Sequence, residues 1–308
     1  KQSILYVYAQ GTYNIPLIAS IGMVVVGLAI KSALYPFHTW LPDAYGYSTV
    51  SSAAILSSLV SKGYIFLLIK IFFRVVGFDI IVDSKIVNIL FVFGLFGMIM
   101  GSVNAILEHD IRRMIAFSSV AQIGYIYMGL GLGTTMGIVA SIFHILSHAS
   151  TKSLLFVAGV GLTDASGGSK KFEDLTGSGF RNPAAGIAFT IGACSMVGIP
   201  LFSGFISKML FAEAAVQNSL AKMLPTMICL AISTVLNAIY FMKTVIRLYT
   251  PASKKVRKTQ AGEAAAVSMR EHPLYHLALL CMVILNVLLG CCSQPIVDWI
   301  TSGLSMFG

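Results

Sequence analysis

The chain has 308 residues, 56% of them hydrophobic and only 11% charged, where an ordinary soluble domain carries about 25% charged residues. With a mean hydropathy of +0.84 there is too little polar surface to wet a globular fold. The chain therefore reads as an all-α, polytopic, integral membrane protein, which excludes a free cytosolic enzyme, a nucleic-acid module and a secreted disulfide scaffold. The net charge of +9 reads as Lys and Arg in cytoplasmic loops rather than as a nucleic-acid site.

The chain starts at Lys1, inside what reads as the tail of an apolar segment, Ile4–Ala9, with no initiator Met, signal peptide or targeting motif. The expectation is a fragment, or a protein missing its N-terminal part. Eight runs then approach the roughly 20 apolar residues that a spanning helix needs, and unbroken runs do not alternate as barrel strands would. They are Leu17–Thr39, Val50–Phe73, Ile86–Leu107, Met114–Leu132, Met136–Leu162, Ala184–Ala212, Met223–Leu248 and Leu274–Ile300. The whole, 1–308, reads as a single transmembrane domain.

The first span carries Lys31, five residues ahead of Pro36. A proline ring loosens the preceding turn, and broken helices are tolerated in membranes where they line a cavity. In the second span, Lys62 is expected to share a polar stripe with Ser51 and Ser58. The fourth carries Ser118, Ser119, Gln122 and Tyr125 at helical spacing, which fits either a water-lined seam or interhelical ties. Its glycines, such as Gly124, Gly129 and Gly131, read as close helix packing.

The fifth span carries His144, His148 and Lys152 at steps of four, so all three climb one helix face over about 12 Å. Imidazole can take a proton on one nitrogen and release it from the other near neutral pH, and burial disfavours the charged form of an amine. Such a row, bridged by water, suits a proton relay. Two histidines at i and i+4 also have zinc-like spacing, but no Cys or carboxylate completes a set; two core histidines bonded to backbone are the plainer alternative. The sixth span carries Pro200, Gly204 and Lys208. A Pro/Gly interruption with a nearby Lys thus occurs twice, a weak sign of an internal repeat.

Each intramembrane Lys costs about 2.5–3.5 kcal/mol on insertion scales, so the four together cost on the order of 10 kcal/mol unless hydrated, paired or neutral. The carboxylates, among them Asp43, Glu108, Asp110, Glu213 and Asp298, fall at span ends or in loops. Either water serves Lys31 or its acidic partner lies on a helix this chain lacks. The five cysteines, Cys194, Cys229, Cys281, Cys291 and Cys292, lie in apolar stretches without a C-x-x-C pair and read as small buried hydrophobes. No haem, iron–sulfur or zinc signature is present, so no cofactor is expected in this chain.

The turns after spans one, three, five and seven hold ten basic residues: Arg112, Arg113, Lys170, Lys171, Arg181, Lys254, Lys255, Arg257, Lys258 and Arg270. The other side holds Lys1, Lys70, Arg74, Lys85 and Lys222. The first side is therefore expected to be cytoplasmic, including the charged loop 250–273.

Four segments carry a family resemblance: KSALYPFHTWLPDA at Lys31–Ala44, DIRRMIAFSSVAQIGYIYMGLGL at Asp110–Leu132, FHILSHASTKSLL at Phe143–Leu155 and GIPLFSGFISK at Gly198–Lys208. They resemble the antiporter-like membrane subunits of respiratory complex I, of membrane-bound hydrogenases and of multisubunit sodium/proton antiporters. The resemblance implies the inverted-repeat fold of that superfamily. The eight spans would be helices seven to fourteen of fourteen, two of them discontinuous at Pro36 and Pro200. It also implies proton-translocating roles for Lys31, Lys62, His144, His148, Lys152 and Lys208. The family's glutamate on helix five has no counterpart here.

The expected function is a proton-conducting subunit, with sodium coupling left open, of a bacterial or archaeal energy-converting membrane complex. Redox energy would arrive from partner membrane subunits, because this chain offers no redox chemistry of its own. A subunit of a cation/proton antiporter without a redox module is the second reading, and a truncated structural subunit the third.

Overall fold

The computed structural model describes residues 1–11, 13–251 and 272–306. Most of the expected cytoplasmic loop, with its five basic residues, lies outside the described residues. Among those described the chain is helical, with one β-bridge between Asp110 and Lys171. In chain order the elements are α1 (Gln2–Gln10), α2 (Asn14–Ser32), α3 (Trp40–Tyr47), α4 (Val50–Val76), α5 (Phe78–Asp83), α6 (Ile86–Leu107) and α7 (Ile111–Gly131). There follow α8 (Thr135–Asp164), α9 (Ser178–Arg181), α10 (Pro183–Val197), α11 (Ser203–Val216), α12 (Leu220–Leu248), α13 (Pro273–Cys291) and α14 (Ser293–Ser305).

Seven of these helices, rather than eight, are long and apolar enough to cross a membrane singly: α2, α4, α6, α7, α8, α12 and α13. The run Ala184–Ala212 is two half-helices, α10 and α11. The break is made by Gly198, which adopts φ 89° and closes α10 with backbone bonds to Cys194 and Ser195, followed by Pro200, whose ring cannot continue a helix. Gly204 then lets α11 pass against the Ser195 carbonyl.

The first expected span is shorter than its apolar run. Helix α2 stops at Ser32, because Ala33 turns left-handed at φ 62°, and α3 resumes at Trp40. The indole of Trp40 donates to the Ile30 carbonyl across the break at 3.1 Å. The last expected span also divides: α13 ends at Cys291, and α14 runs on with Trp299 exposed.

Helix α7 sits at the centre, buried almost all round, and shows no amphipathic stripe because every side has a neighbour. It meets α6 backbone to backbone. A Cβ on Gly101 would lie 2.5 Å from the Ala121 nitrogen, and one on Gly124 would lie 2.5 Å from the Met98 nitrogen. Lipid is as apolar as a leucine side chain, so close packing of this kind is a main source of helix association.

At one end, the turns after α3, α6 and α8 meet. Asp110 caps α7 through the amides of Arg112 and Arg113 at 2.7 and 3.2 Å. Arg113 pairs with Asp43 and, at 3.1 Å, with Glu108. Arg112 donates to the carbonyls of Tyr45 and Ser48 at the end of α3, where a cation suits the helix dipole. Lys170 reaches the Gly46 carbonyl at 3.1 Å. Three of the four turns assigned to the basic side are thus in contact.

The cysteines correct a reading. Cys281, Cys291 and Cys292 are exposed, while Cys194 and Cys229 are half-buried. Apolar character separates inside from outside in water, but not in lipid, where both are apolar.

Candidate functional site

Helix α8 presents His144, His148 and Lys152 on one buried face. The two imidazoles stack, with centroids 5.9 Å apart and planes 8° apart. His144 Nδ1 lies 2.5 Å from Ser207 Oγ on α11, and its ring stacks on Tyr125 of α7 at 5.5 Å. Both ring nitrogens of His148 and Nε2 of His144 are buried without a hydrogen-bond partner among the described residues. The reading as core histidines held by backbone therefore fails for His148. Among the described residues no group of three His, Cys, Asp or Glu forms that could hold a metal.

Lys152 is fully buried and reaches α7, donating to the Ile115 carbonyl at 2.7 Å and to the Ser118 hydroxyl. Lys62 comes in from α4. Residues 56–60 of α4 form a widened π-turn, a feature frequent at functional sites, and Lys62 Nζ donates to the Ser57 carbonyl inside it. The extra residue shifts the register, so the expected stripe is wrong in part: Ser51 is exposed, while Ser57, Ser58, Ser61 and Lys62 face inward. Ser57 Oγ lies 3.2 Å from Ser119 Oγ, tying the π-turn to α7. Lys62 is within electrostatic reach of Lys152 and of both histidines.

Lys208 stands one turn into α11. Its amine donates to the carbonyl of Val197, the last residue of α10, at 2.5 Å, and to Thr234 Oγ1 on α12 at 3.0 Å. It thereby bridges the helix break that Pro200 helps to make. Gln122, His144, His148, Thr151 and Lys208 line one narrow internal cavity. The seam on α7 is thus part of this site: Ser118 holds Lys152, Gln122 lines the cavity and Tyr125 carries His144.

Lys31 is not brought to the cluster. It is exposed at the end of α2 beside the Pro36 break, with no hydrogen bond or ion pair among the described residues.

Several members escaped sequence reading. Ser147, Ser195 and Ser203 connect α8, α10 and α11 through hydroxyl contacts of 2.8–3.4 Å. Asn286 of α13, fully buried, donates to Thr151 Oγ1 at 2.6 Å. A single amide in an apolar helix is a readable signal, since polar groups there are costly, but nothing in its spacing names its partner.

Three amines, two imidazoles and their hydroxyl partners are therefore gathered from five helices. No Asp or Glu is buried among the described residues. Such an assembly can accept, pass and release protons, but it holds no counter-ion for a fixed positive charge.

Comparison with known proteins identifies the lineage of this arrangement. The family model described as "NADH:quinone oxidoreductase/Mrp antiporter, TM" matches residues 2–236. The chain belongs to that family. As a family member it is 33% identical over 232 residues to NADH-quinone oxidoreductase subunit N of Desulforudis audaxviator, covering 75% of this chain and 45% of the relative. It is 34% identical over 243 residues to the putative antiporter subunit mnhA2 of Staphylococcus haemolyticus, covering 73% of this chain and 30% of the relative. The chain thus spans less than half the length of these two relatives.

In fold, this NADH:quinone oxidoreductase/Mrp antiporter-type chain is similar to a chain of the Mrp complex from Dietzia sp. The TM-score is 0.81 at 23% identity, over 94% of this chain and 59% of that one. It also resembles a chain of respiratory complex I from Thermus thermophilus, with a TM-score of 0.69 at 22% identity, over 92% of this chain and 59% of that one. The chain is an integral, multi-pass membrane protein with the antiporter-like fold.

Proposed function

We propose that this chain is a proton-conducting membrane subunit of a multisubunit energy-converting complex. Protons pass along Lys62, Lys152, His148, His144 and Lys208 by way of hydroxyls and water. The observation that carries the reading is the run of buried amines and imidazoles gathered among α4, α7, α8, α11 and α12, with no buried carboxylate among the described residues. A proton left on any one of them costs desolvation energy, so it can rest there only briefly. Lys31, exposed beside the first break, serves the same path where a further subunit or segment covers it. The chain itself carries out no redox reaction; energy comes from partner membrane subunits.

Relatives named as a subunit of NADH-quinone oxidoreductase and as a putative antiporter subunit match about equally well, which keeps an antiporter complex without a redox module as the second reading. Co-purification with flavin or iron–sulfur subunits separates the two.

The direct test is Lys208→Gln. The amide keeps a hydrogen-bond donor at this position but cannot carry a proton. Assembly should be retained while pH-gradient formation in vesicles, per copy of subunit, falls to background. A Lys208→Gln complex pumping at the unsubstituted rate would overturn the relay.

A further inference from the structure

We propose that the groove between α4, α8 and α14, at the end of the bundle opposite the basic cluster, holds one anionic phospholipid, its acyl chain along α4 and its phosphate on Lys70 and Arg74. The proposal does not depend on the relay reading above. It concerns the outward face of a helix whose inward face carries Lys62.

The groove has a volume of about 600 Å³ and is walled by Gly63, Phe66 and Leu67 of α4, Ile142 of α8 and Leu304 of α14. Gly63, Phe66 and Leu67 are exposed, whereas Lys62, one residue before Gly63, is buried. Gly63 gives the groove its depth at one end, since a Cβ there would meet nothing within 4 Å. At the other end stand Lys70 and Arg74, one turn apart, and no Asp or Glu is among the lining residues. Lys70 is exposed and makes no hydrogen bond or ion pair among the described residues. From Gly63 to Arg74 the helix rises about 16 Å, at about 1.5 Å per residue. The hydrocarbon of one leaflet is about 15 Å deep, half of a core of about 30 Å. The groove is therefore as long as one acyl chain of one leaflet, with its cations at headgroup depth.

Two further observations point to a ligand. This end belongs to the side poor in Lys and Arg, so the bias that places cations in cytoplasmic loops does not account for two of them here. Residues 71–76 of α4 also form a second π-turn, which carries Arg74 and closes at Gly77 with φ 105°, and such widened turns are frequent at functional sites. The charge pattern selects the occupant. An apolar protein helix would cover Phe66 and Leu67 but offer nothing to the two cations, and a zwitterionic headgroup brings a cation of its own to the same place. An anionic headgroup answers both, because phosphate oxygens accept charge-assisted hydrogen bonds from an ammonium and a guanidinium.

The test uses phosphatidylglycerol carrying a photoactivatable diazirine in its acyl chain, in vesicles holding the assembled, full-length complex. Peptide mapping should place the cross-link on residues 63–74 of α4. Unlabelled phosphatidylglycerol should remove it at roughly one-tenth the concentration needed of phosphatidylcholine. Lys70→Gln combined with Arg74→Gln should lower the cross-link yield per copy roughly tenfold or more, the loss expected for two cations at a membrane surface. Gly63→Trp, which fills the groove and leaves the charges, should lower it as well. Equal competition by phosphatidylcholine would make the groove an ordinary bilayer contact and overturn the proposal. So would a charge variant that cross-links at the unsubstituted yield. A cross-link absent from residues 63–74 also overturns it, because protein then covers this face. The competition is read on the unsubstituted complex, so it decides the matter even where a variant does not assemble.

Discussion

The imidazole rings of His144 and His148 lie nearly parallel, 8° apart in plane and 5.9 Å between centroids. Neither ring nitrogen of His148 has a hydrogen-bond partner among the described residues, so a proton crosses from one ring to the other only through an intervening group. Ser207 lies 2.5 Å from His144 at one end, and Lys152, one helical turn beyond His148, is held at the other by Ile115 and Ser118.

Residues that act in series fail as a unit, and their losses are not additive. His148→Ala combined with Lys152→Ala should therefore transport hardly less than the worse single variant. The measurement is pH-gradient formation normalised to subunit content. Strictly additive losses would assign the two positions to separate structural roles.

The packing of α6 on α7 gives a stability prediction. Gly124 has the Met98 backbone where a Cβ would be, at 2.5 Å, whereas Gly27 on α2 has nothing within 4 Å. Gly124→Leu should separate the two helices, costing more than the about 1–3 kcal/mol of ordinary overpacking because backbone cannot yield as a side chain can. Gly27→Ala should leave stability unchanged. Thermal denaturation of the detergent-solubilised complex compares them, and equal melting of both variants would contradict the backbone contact.

Orientation is testable at Glu173, exposed in the basic turn beside Lys171. Glu173→Cys should react with an impermeant thiol reagent added from the cytoplasmic side. Labelling of Glu173→Cys from outside the cell would reverse the topology.

The α8 row was legible in sequence because steps of four put His144, His148 and Lys152 on one face whatever surrounds the helix. The break at Pro200 was legible for a similar reason, since Gly and Pro act on their own backbone. The face of Lys62 was not: the π-turn at 56–60 adds a residue that apolar periodicity cannot register, so Ser51 points outward while Lys62 faces in. The exposed cysteines were missed because lipid blurs the pattern that water writes. The motif at Lys31 points to the relay, yet the lysine is exposed at the end of α2, where its surroundings depend on what covers that helix. The stripe Ser233, Asn237, Tyr240 and Thr244 of α12 was readable as spacing, but only the structure shows that it meets Ser102 of α6.

The central claim is that Lys152 carries a proton and releases it. Arginine offers the same charge and comparable reach, but a guanidinium keeps its proton in a protein. The decisive measurement is pH-gradient formation by the Lys152→Arg complex in sealed vesicles, normalised to assembled subunit. A relay through Lys152 predicts that the Lys152→Arg complex that assembles forms no gradient. A Lys152→Arg complex that forms the gradient at the unsubstituted rate would show that a fixed positive charge suffices and would contradict the account.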